Sequence, residues 1–263
     1  MSAARAADGG ESASVKSAKR VLELLELFGE AAEPLTATEI AARTGFPRSS
    51  LHGLLQTLLG QRWIEEVDPG RFTISTLALS VGVSYIDRDP AAPHATAALE
   101  RLRTELGCTT NLARRIGDEV IYLATREAAD RRSLPSRTGR RVPAFATALG
   151  RALLAELTDE EVREELERHP RLQVTSSTTT DLDELLEEIR AARTNGHAIE
   201  RSQTLDDVVC VAVVVPYRLP ATDAISCSMS LAQATPERLE EVIGVLEREV
   251  AGLASQLRWL GIR

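Results

Sequence analysis

The first regular pattern of apolar residues along the chain has the spacing of a helix. From Ser14 onward, apolar side chains recur about every 3.6 residues, the period that places them on one helix face. The pattern stops near Gly29, so we expect the first helix to end there. Its apolar positions are Val15, Ala18, Val21, Leu22, Leu25 and Phe28.

Two shorter helices are predicted next. Thr36 and Glu39 have the T-x-x-E spacing of a capping box, so the second helix begins at Thr36 and ends at Gly45. Pro47 suits the first position of a third helix, where its missing N–H costs nothing. The third helix has a leucine face, Leu51, Leu54, Leu55 and Leu58, and an opposite face of Ser49, His52, Gly53 and Gln56.

After the third helix, the pattern changes to that of a β-hairpin. The runs WIEEV and RFTI are rich in strand-forming residues and flank Asp68-Pro69-Gly70, a turn sequence. Three helices followed by a hairpin is the order of a winged helix-turn-helix, whose third helix enters the major groove of DNA. The same pattern also fits a small helical bundle that carries a hairpin.

Beyond Thr76, helical and strand-like runs follow in mixed order. TLALSVGVSYID predicts a connecting helix, which RDPAAP ends. Next come a helix at 96–106, a hairpin around Gly117-Asp118, helices from Thr147, Thr158 and Asp181, the strand-like runs HAIERSQ, VVCVAVVVPY and AISCSMSLA, and a final helix opened by Thr235-Pro236. This order favours an α+β domain. We expect a disordered tail at 1–13, a DNA-binding domain at 14–75, a linker helix at 76–89 and a second domain at 90–263.

Composition limits the function classes. The 263 residues are 43% hydrophobic and 27% charged, which is ordinary for a soluble globular protein. No apolar run reaches the ~18 residues of a membrane helix, and the first residues lack the basic start and apolar core of a secretory signal. We therefore expect a cytoplasmic protein without membrane association. The cysteines Cys108, Cys210 and Cys227 have no C-x-x-C spacing, which favours reduced, buried thiols over disulfides or a metal site, and no cofactor is expected.

The charged residues are unevenly distributed, and one segment is basic although the net charge of the chain is negative. The formal net charge of -8 argues against a nucleic-acid partner only if it is evenly spread, because a local patch is what binds phosphate. Between Ile40 and Ile64, the only charged residues are Arg43, Arg48 and Arg62. The predicted third helix therefore lies in an electropositive window of an acidic chain.

Three separated passages resemble the IclR family of bacterial transcription regulators. LTATEIAARTGFPRSSLHGLLQTL is similar to the family's helix-turn-helix, GRRVPAFATALGRALLAEL to its effector-domain signature, and VVCVAVVVPY followed by AISCSMS to its last two pocket strands. The resemblance runs from about Ser14 to Leu260. It implies a winged helix-turn-helix, a linker helix and a GAF-like effector-binding domain, with a palindromic double-stranded operator bound by homodimers or homotetramers.

The chain departs from the family pattern at two places. Family members usually carry Arg at the position of Gly53, and a glycine within a helix costs ~1 kcal/mol relative to alanine. Gly53 either permits closer approach of the backbone to DNA or is the result of neutral sequence drift. Asp207 replaces the family's usual Gly before the strand that holds Cys210, which puts the shape of that pocket edge in question.

Candidate DNA contacts fall into two classes. Basic side chains meet phosphates and position the protein, whereas base edges are read by side chains that donate and accept hydrogen bonds, such as Gln paired with adenine. Ser49 and Ser50 also suit capping of the first helical turn, and His52 also suits a packed surface ring. The candidate phosphate contacts are Lys16, Lys19, Arg20, Arg48, Arg62 and Arg71, and the candidate base readers are Ser49, Ser50, His52 and Gln56.

The resemblance also implies an effector pocket. Ala148 and Leu149 lie near a predicted helix start, which favours an anion, and Ser228 and Ser230 are two apart on a strand and share a face. Alternating serines also fit a solvated face. Glu200 disfavours a simple acid unless it is protonated or bonds a hydroxyl, so a hydroxylated acid, a sugar derivative or a phenol fits best. The residues placed around the pocket are Leu134, Ala148, Leu149, Glu200, Cys210, Ser228 and Ser230.

The expected function is a DNA-binding regulator, a repressor by the family resemblance, whose DNA affinity changes when a small molecule binds the second domain. Two alternatives remain. Cys210 with His197 could form a thiolate and its base, although VVCVAVVV has the pattern of a buried strand and no nucleophile signature surrounds it. The second domain could also be an oligomerisation scaffold without a ligand.

Overall fold

The computed structural model describes residues 15–128 and 138–263, and the chain divides between Asp87 and Arg88 into two compact units. The predicted tail at 1–13 and the predicted pocket residue Leu134 lie outside the described residues. Among the residues that the structure describes, no helix is long and apolar enough to cross a membrane.

The first unit contains three helices, a small sheet and a fourth helix. Strands β1, β3 and β2 form an antiparallel sheet in that order, with the hairpin turn between Asp68 and Arg71. The elements are α1 (Lys16–Glu30), β1 (Leu35–Thr36), α2 (Ala37–Thr44), α3 (Arg48–Gly60), β2 (Ile64–Asp68), β3 (Arg71–Ile74) and α4 (Thr76–Arg88).

The helix boundaries of the first unit follow from local capping. Thr36 is the N-cap of α2 and forms the reciprocal capping box with Glu39. Gly45 ends α2 in the left-handed conformation, which glycine adopts at little cost. The sequence predicted that Pro47 is the first helical residue of α3. In the structure Pro47 is the N-cap residue, one position earlier.

The core of this unit lies between α1, α2, α3 and the sheet. It is formed by Leu24 and Phe28 of α1, Leu35, Ile40, the α3 residues Leu51, Leu55 and Leu58, and the strand residues Ile64 and Phe72. The three helices and a wing sheet confirm the predicted winged helix-turn-helix.

The second unit is built on a six-stranded antiparallel sheet of order β6-β5-β4-β9-β8-β7. Its strands are β4 (Thr109–Ile116), β5 (Glu119–Arg126), β6 (Arg141–Pro143), β7 (Ala198–Arg201), β8 (Val208–Val214) and β9 (Asp223–Ser230). Its helices are α5 (Ala92–Leu106), α6 (Ala148–Leu154), α7 (Asp159–Arg168), α8 (Leu182–Asn195) and α9 (Pro236–Trp259). The predicted α+β class is confirmed.

The two faces of this sheet pack against different helices. Thr110 on β4 donates to the Leu99 carbonyl of α5, and α5 also packs on α9. The alternate strand residues Ala113, Ala212 and Ala224 belong to the apolar cluster that contains α6 and α8. Because successive strand residues point to opposite faces, the α6-facing side of the sheet carries the odd-numbered residues of β4 and the even-numbered residues of β8 and β9.

Three features of the fold differ from the sequence prediction. β1 and β6 were not predicted, because strands of two and three residues are too short to show alternation. α5 begins at Ala92, four residues before the predicted start, with Pro93 in its first turn. Asp89 explains the early start, since its Oδ1 accepts the Ala91 and Ala92 N–H groups at 2.9 Å each.

Candidate nucleic-acid and effector sites

One face of α3 is open to solvent. Leu51, Leu55 and Leu58 are buried on the opposite face, and this amphipathic arrangement fixes which side chains point outward. No acidic residue occurs in α3. We call the exposed set the α3 stripe; its members are Arg48, Ser49, His52, Gly53 and Gln56.

Arg20 and Ser50 form a contact between helices. Arg20 Nη1 donates to Ser50 Oγ at 2.8 Å, and the Arg20 guanidinium lies 5.0 Å from the centre of the Phe46 ring. Ser50 is half-buried, unlike its neighbour Ser49. The contact holds α3 against α1, so these two predicted DNA contacts also position the helix, and neither Arg20 nor Ser50 belongs to the α3 stripe.

The other predicted basic contacts occupy different surroundings. Lys16, Lys19 and Arg62 are exposed, and Lys19 forms only a loose ion pair with Glu23 at 3.8 Å. Such an exposed pair contributes little and leaves Lys19 able to meet a phosphate. Arg71 is half-buried, and its Nη2 donates to the Pro34 carbonyl at 2.7 Å, which joins the wing to the segment before β1.

Four polar side chains form a line across the α6-facing side of the second sheet. Glu200 on β7 lies opposite Cys210 on β8, and Cys210 lies opposite Ser228 on β9. Ser228 in turn lies opposite Thr109 on β4. Directly opposed residues share one face of an antiparallel sheet, and Cys210 Sγ is 3.2 Å from Ser228 Oγ. We call these four residues the polar row.

A second group of polar side chains lies beside the polar row. Asn111 and Ser226 are opposed on β4 and β9, two residues along from Thr109 and Ser228. Asn111 Nδ2 is 3.3 Å from Ser226 Oγ, and Thr125 Oγ1 donates to Asn111 Oδ1 at 3.0 Å. We call Asn111, Thr125 and Ser226 the Asn111 cluster. Asn111 and Ser226 are each 1% exposed, so this face is not the solvated serine face that the sequence left open.

The two oxygens of Glu200 are in different situations. The residue is 1% exposed, and its Oε1 accepts the backbone N–H groups of Gln203, at 2.5 Å, and Thr204, at 2.9 Å. Oε2 is also buried and accepts no hydrogen bond of normal geometry from the described part of the chain, although the Cys210 thiol is near. Burial raises the pKa of Glu200, and the two backbone hydrogen bonds oppose that rise.

The same environment keeps Cys210 and Tyr122 protonated. Burial, followed by the charge of Glu200, raises the pKa of the Cys210 thiol above its usual range. Burial and the neighbouring Cys210 likewise raise the pKa of the Tyr122 phenol. His197 Nδ1 lies 3.4 Å from Glu247 Oε1 on α9. A protonated thiol is a poor nucleophile, so these surroundings do not favour the Cys210–His197 alternative.

Arg151 holds the backbone turn that hydrogen-bonds Glu200. It is 1% exposed on α6, and its three nitrogens reach the Phe145 carbonyl at 2.7 Å, Gln203 Oε1 at 2.5 Å and Glu188 Oε2 at 2.5 Å. Burial lowers its pKa, and Glu188 and Glu200 oppose that effect. Because Gln203 also donates its N–H to Glu200, Arg151 fixes the turn that holds the Glu200 carboxylate.

The remaining predicted pocket residues have separate placements. Ala148 and Leu149 are buried at the start of α6, in the apolar cluster against which Cys210 and Tyr122 pack. Ser230 is less buried than Ser228, and its hydroxyl donates to Gln233 Oε1 at 2.9 Å. The structure therefore brings Ser228 to the polar row, whereas Ser230 closes the turn after β9.

Sequence reasoning missed Thr109, Tyr122, Arg151 and the Asn111 cluster. Thr109 and Asn111 are two residues apart in the strand-like run TTNLARRI, and that spacing places both on one face of the strand. Burial of that face was not readable from the sequence. Within 15–128 and 138–263, no three His, Cys, Asp or Glu side chains are placed to hold a metal ion.

Comparison with known proteins gives matches in both units. The family model described as the IclR helix-turn-helix domain matches residues 17–68, and the model described as the bacterial transcriptional regulator IclR C-terminal matches residues 83–254. HTH-type transcriptional regulator XynR of Escherichia coli K12 is 30% identical over 76% of this chain and 80% of its own length. Transcriptional repressor IclR of the same organism is 28% identical over 86% of this chain and 84% of its own.

A solved structure has the same fold. The crystal structure of an IclR homolog from Microbacterium hydrocarbonoxydans, complexed with 4-hydroxybenzoate, superposes with a TM-score of 0.74 at 23% identity. The match covers 92% of this chain and 99% of that one. The likeness extends through both units.

Proposed function

The chain belongs to the IclR family of bacterial transcriptional regulators, and on that premise we propose that it is a repressor whose operator binding is controlled by a small organic acid or hydroxylated metabolite. The family assignment makes it a DNA-binding regulator with an effector-binding C-terminal domain and not an enzyme. Support for repression comes from the repressor IclR of E. coli, which is 28% identical. The α3 stripe is the observation that carries the DNA-binding half of the proposal.

The buried polar row is the observation that carries the effector half. A buried polar atom without a partner costs free energy, and Glu200 Oε2 in this row has none among the described residues, which a ligand donor would remedy. Glu200, Cys210, Ser228, Ala148 and Leu149 are the proposed ligand contacts. A homolog of known structure is complexed with 4-hydroxybenzoate, which is both a phenol and an acid.

A thermal-shift screen separates this sensor from an oligomerisation scaffold. Hydroxylated and simple organic acids are tested against the full chain, and each stabilising compound is then added to the operator complex. We expect at least one compound to raise the unfolding temperature and to release DNA in a mobility-shift assay. A compound that stabilises the chain and leaves operator affinity unchanged would contradict the regulatory proposal, and the absence of any stabilising compound would favour the scaffold.

Arg48→Ala and Gln56→Ala should have different effects on DNA binding. Arg48 is proposed to meet a phosphate, so its loss should weaken binding to operator and unrelated DNA alike and reduce the salt slope of log K by about 1. Gln56 is proposed to read a base, so its loss should relax preference at one position by roughly 1–3 kcal/mol. Mobility shifts across a salt series, on an operator selected from genomic fragments, measure both effects.

The control for these substitutions is Arg168→Ala, which removes an exposed arginine of α7 in the second unit. It should leave both the affinity and the salt slope unchanged. If Arg48→Ala behaves like Arg168→Ala, Arg48 does not contact phosphate.

The exposed surface of α4 supports a homodimer or homotetramer. α4, all of which the structure describes, contains no buried residue, and Leu79 and Val83, one helical turn apart on the same face, are 66% and 43% exposed. A contiguous exposed apolar surface is typical of an interaction site. A palindromic operator also requires two heads. We therefore propose that α4 packs against a second copy of the chain, with α1 and the second unit as further interfaces.

Placing glutamate at both Leu79 and Val83 should shift the assembly toward monomers. Charge in the centre of an apolar interface opposes association, whereas neither side chain is part of the core of the single chain. Light scattering at micromolar concentration measures the mass, and circular dichroism checks that the fold is retained. Val67→Glu, at a 47% exposed apolar site of strand β2 that belongs to none of the proposed interfaces, is the control and should leave the mass unchanged. A parent that is already a monomer, with and without DNA, would contradict the proposal.

A further inference from the structure

We infer that Glu200 receives a hydroxyl group of the effector at Oε2, so that the effector's carboxylate, where it has one, lies away from Glu200 and toward the Asn111 cluster. The inference rests on the proposed sensor function and names how the ligand is oriented in that site. It gives Glu200 the role of selecting hydroxylated over plain acids, and it adds Asn111 and Ser226 as contacts.

The first observation is the asymmetry of the Glu200 carboxylate. Oε1 is occupied by two backbone N–H groups, and the Thr204 hydroxyl lies 3.4 Å from it. Oε2 is buried and receives no normal hydrogen bond from the residues that the structure describes. A buried carboxylate oxygen left in this state is costly, and a donor from a ligand would satisfy it.

The second observation is the chemistry around Oε2. The Cys210 thiol and the Tyr122 phenol are neutral. Arg151 is the cation that acts on Glu200, and its nitrogens already contact the Phe145 carbonyl, Gln203 Oε1 and Glu188 Oε2. A ligand carboxylate placed at Oε2 would therefore face the Glu200 carboxylate, and Arg151 is already engaged elsewhere. A hydroxyl avoids this repulsion, and a hydrogen bond to an ionised acceptor is stronger than one between neutral groups.

The third observation is the direction of the polar face. From Glu200 the polar row continues through Cys210 and Ser228, and the Asn111 cluster lies beside its far end. Asn111 Nδ2 donates to Ser226 Oγ, and the Ser226 hydroxyl carries a donor that can rotate toward a ligand acceptor. The end of the face that is remote from Glu200 is therefore the end suited to a carboxylate.

Matched pairs of acids test the orientation. The pairs are 4-hydroxybenzoate with benzoate, and gluconate with hexanoate; the members of each pair share charge and carbon skeleton and differ in hydroxyl groups. Calorimetry on the full-length parent should give at least one hydroxylated member about 10-fold tighter binding than its partner, which corresponds to ~1.4 kcal/mol. Glu200→Gln replaces the acceptor Oε2 with an amide donor and should reduce that preference to less than about 3-fold.

Two controls make the result specific. Glu240→Gln removes an exposed carboxylate of α9 and should leave the preference unchanged. Ser226→Ala should weaken both members of the binding pair by a similar factor, because it removes a contact to the group they share. An unchanged preference in Glu200→Gln, or plain acids that bind as tightly as hydroxylated ones, overturns the inference and leaves the sensor function intact. Failure of all four acids to bind counts against both the sensor proposal and this inference.

The pH dependence of binding provides a second readout. The groups that face Glu200 are Arg151 from α6, Cys210 from β8 and Tyr122 from β5. If ionised Glu200 accepts the hydroxyl, binding of the hydroxylated acid should weaken as the pH falls through the raised pKa of Glu200. Glu200→Gln should remove this dependence. Binding that strengthens on acidification would mean that a protonated Glu200 donates to the ligand, and this would overturn the inference.

Discussion

Gly150→Ala should destabilise the second unit by about 3 kcal/mol or more, because no space exists for the added methyl group. A Cβ at Gly150 would lie 2.1 Å from the Ala144 carbonyl oxygen and 2.3 Å from its Cα. Both are backbone atoms, so no side-chain rotation can relieve the overlap. The 3-10 turn Ala144–Ala146 and the start of α6 would have to separate. Urea denaturation followed by circular dichroism measures the loss.

The matched control is Gly244→Ala on α9. Gly244 is also helical, but a Cβ there would meet no described atom within 4 Å other than its chain neighbours and the backbone of its own helix. An alanine in an open helical position should stabilise the chain by up to ~1 kcal/mol. The two substitutions add the same methyl group and should change stability in opposite directions. A Gly150→Ala variant within 1 kcal/mol of the parent would show that the turn and α6 can move apart cheaply.

A loss of effector binding should accompany the loss of stability in Gly150→Ala. Ala148 and Leu149 immediately precede Gly150 and pack in the cluster that includes Cys210 and Tyr122. Thr147 also caps the helix by accepting the Gly150 N–H at 2.9 Å. Displacement of this backbone would therefore move the proposed ligand contacts on α6 together.

Features set by a few neighbouring residues were predictable from the sequence. The caps at Thr36, Thr158, Asp181 and Thr235 involve partners within three residues, and each appears in the structure. The exposed face of α3 was predictable for the same reason, since the spacing of its leucines alone determines which side is buried.

Features that depend on strand register or on distant partners were not predictable. Glu200 and Thr109 are far apart in sequence, and only the pairing of four strands places them in one line. The unsatisfied state of Glu200 Oε2 depends in turn on the path of the Gln203–Thr204 backbone. The bond between Arg20 and Ser50 likewise joins residues 30 positions apart. Basic residues near a helix-turn-helix look alike in sequence, whether they meet phosphates or neighbouring helices.

Removal of Arg114 should have the second large effect on stability, because this arginine neutralises two buried carboxylates. On β4, its Nε and Nη2 donate to the two oxygens of Asp223 at 2.6 and 2.7 Å, and its Nη1 bonds Asp89. Asp223 is 1% exposed and Asp89 7% exposed. Breaking a buried ion pair by removing one partner costs roughly 3–5 kcal/mol, since a buried charge is left uncompensated. Arg114→Met, which retains much of the side-chain volume, should lose this amount in urea denaturation at pH 8.

The pH dependence of this loss distinguishes electrostatics from packing. In the parent, burial opposes ionisation of Asp89, but hydrogen bonds from Arg114 and from the α5 backbone lower its pKa below the ordinary value. Asp89 therefore stabilises the parent above its unfolded pKa of about 3.9, and this contribution is lost as the pH falls through the lower folded pKa. Without Arg114, burial dominates and raises the pKa of Asp89 in the folded variant. Acidification then protonates Asp89 and removes the cost of its buried, unpaired charge. The difference in unfolding free energy between parent and Arg114→Met should therefore be smaller at pH 5 than at pH 8. Arg115→Met is the control at the next position of β4. Arg115 donates to the Gly117 carbonyl at 2.8 Å and forms a 3.9 Å ion pair with Glu165, so its loss should cost less than that of Arg114 and should cost a similar amount at both pH values. A deficit for Arg114→Met that is equal at both pH values would assign the effect to lost packing.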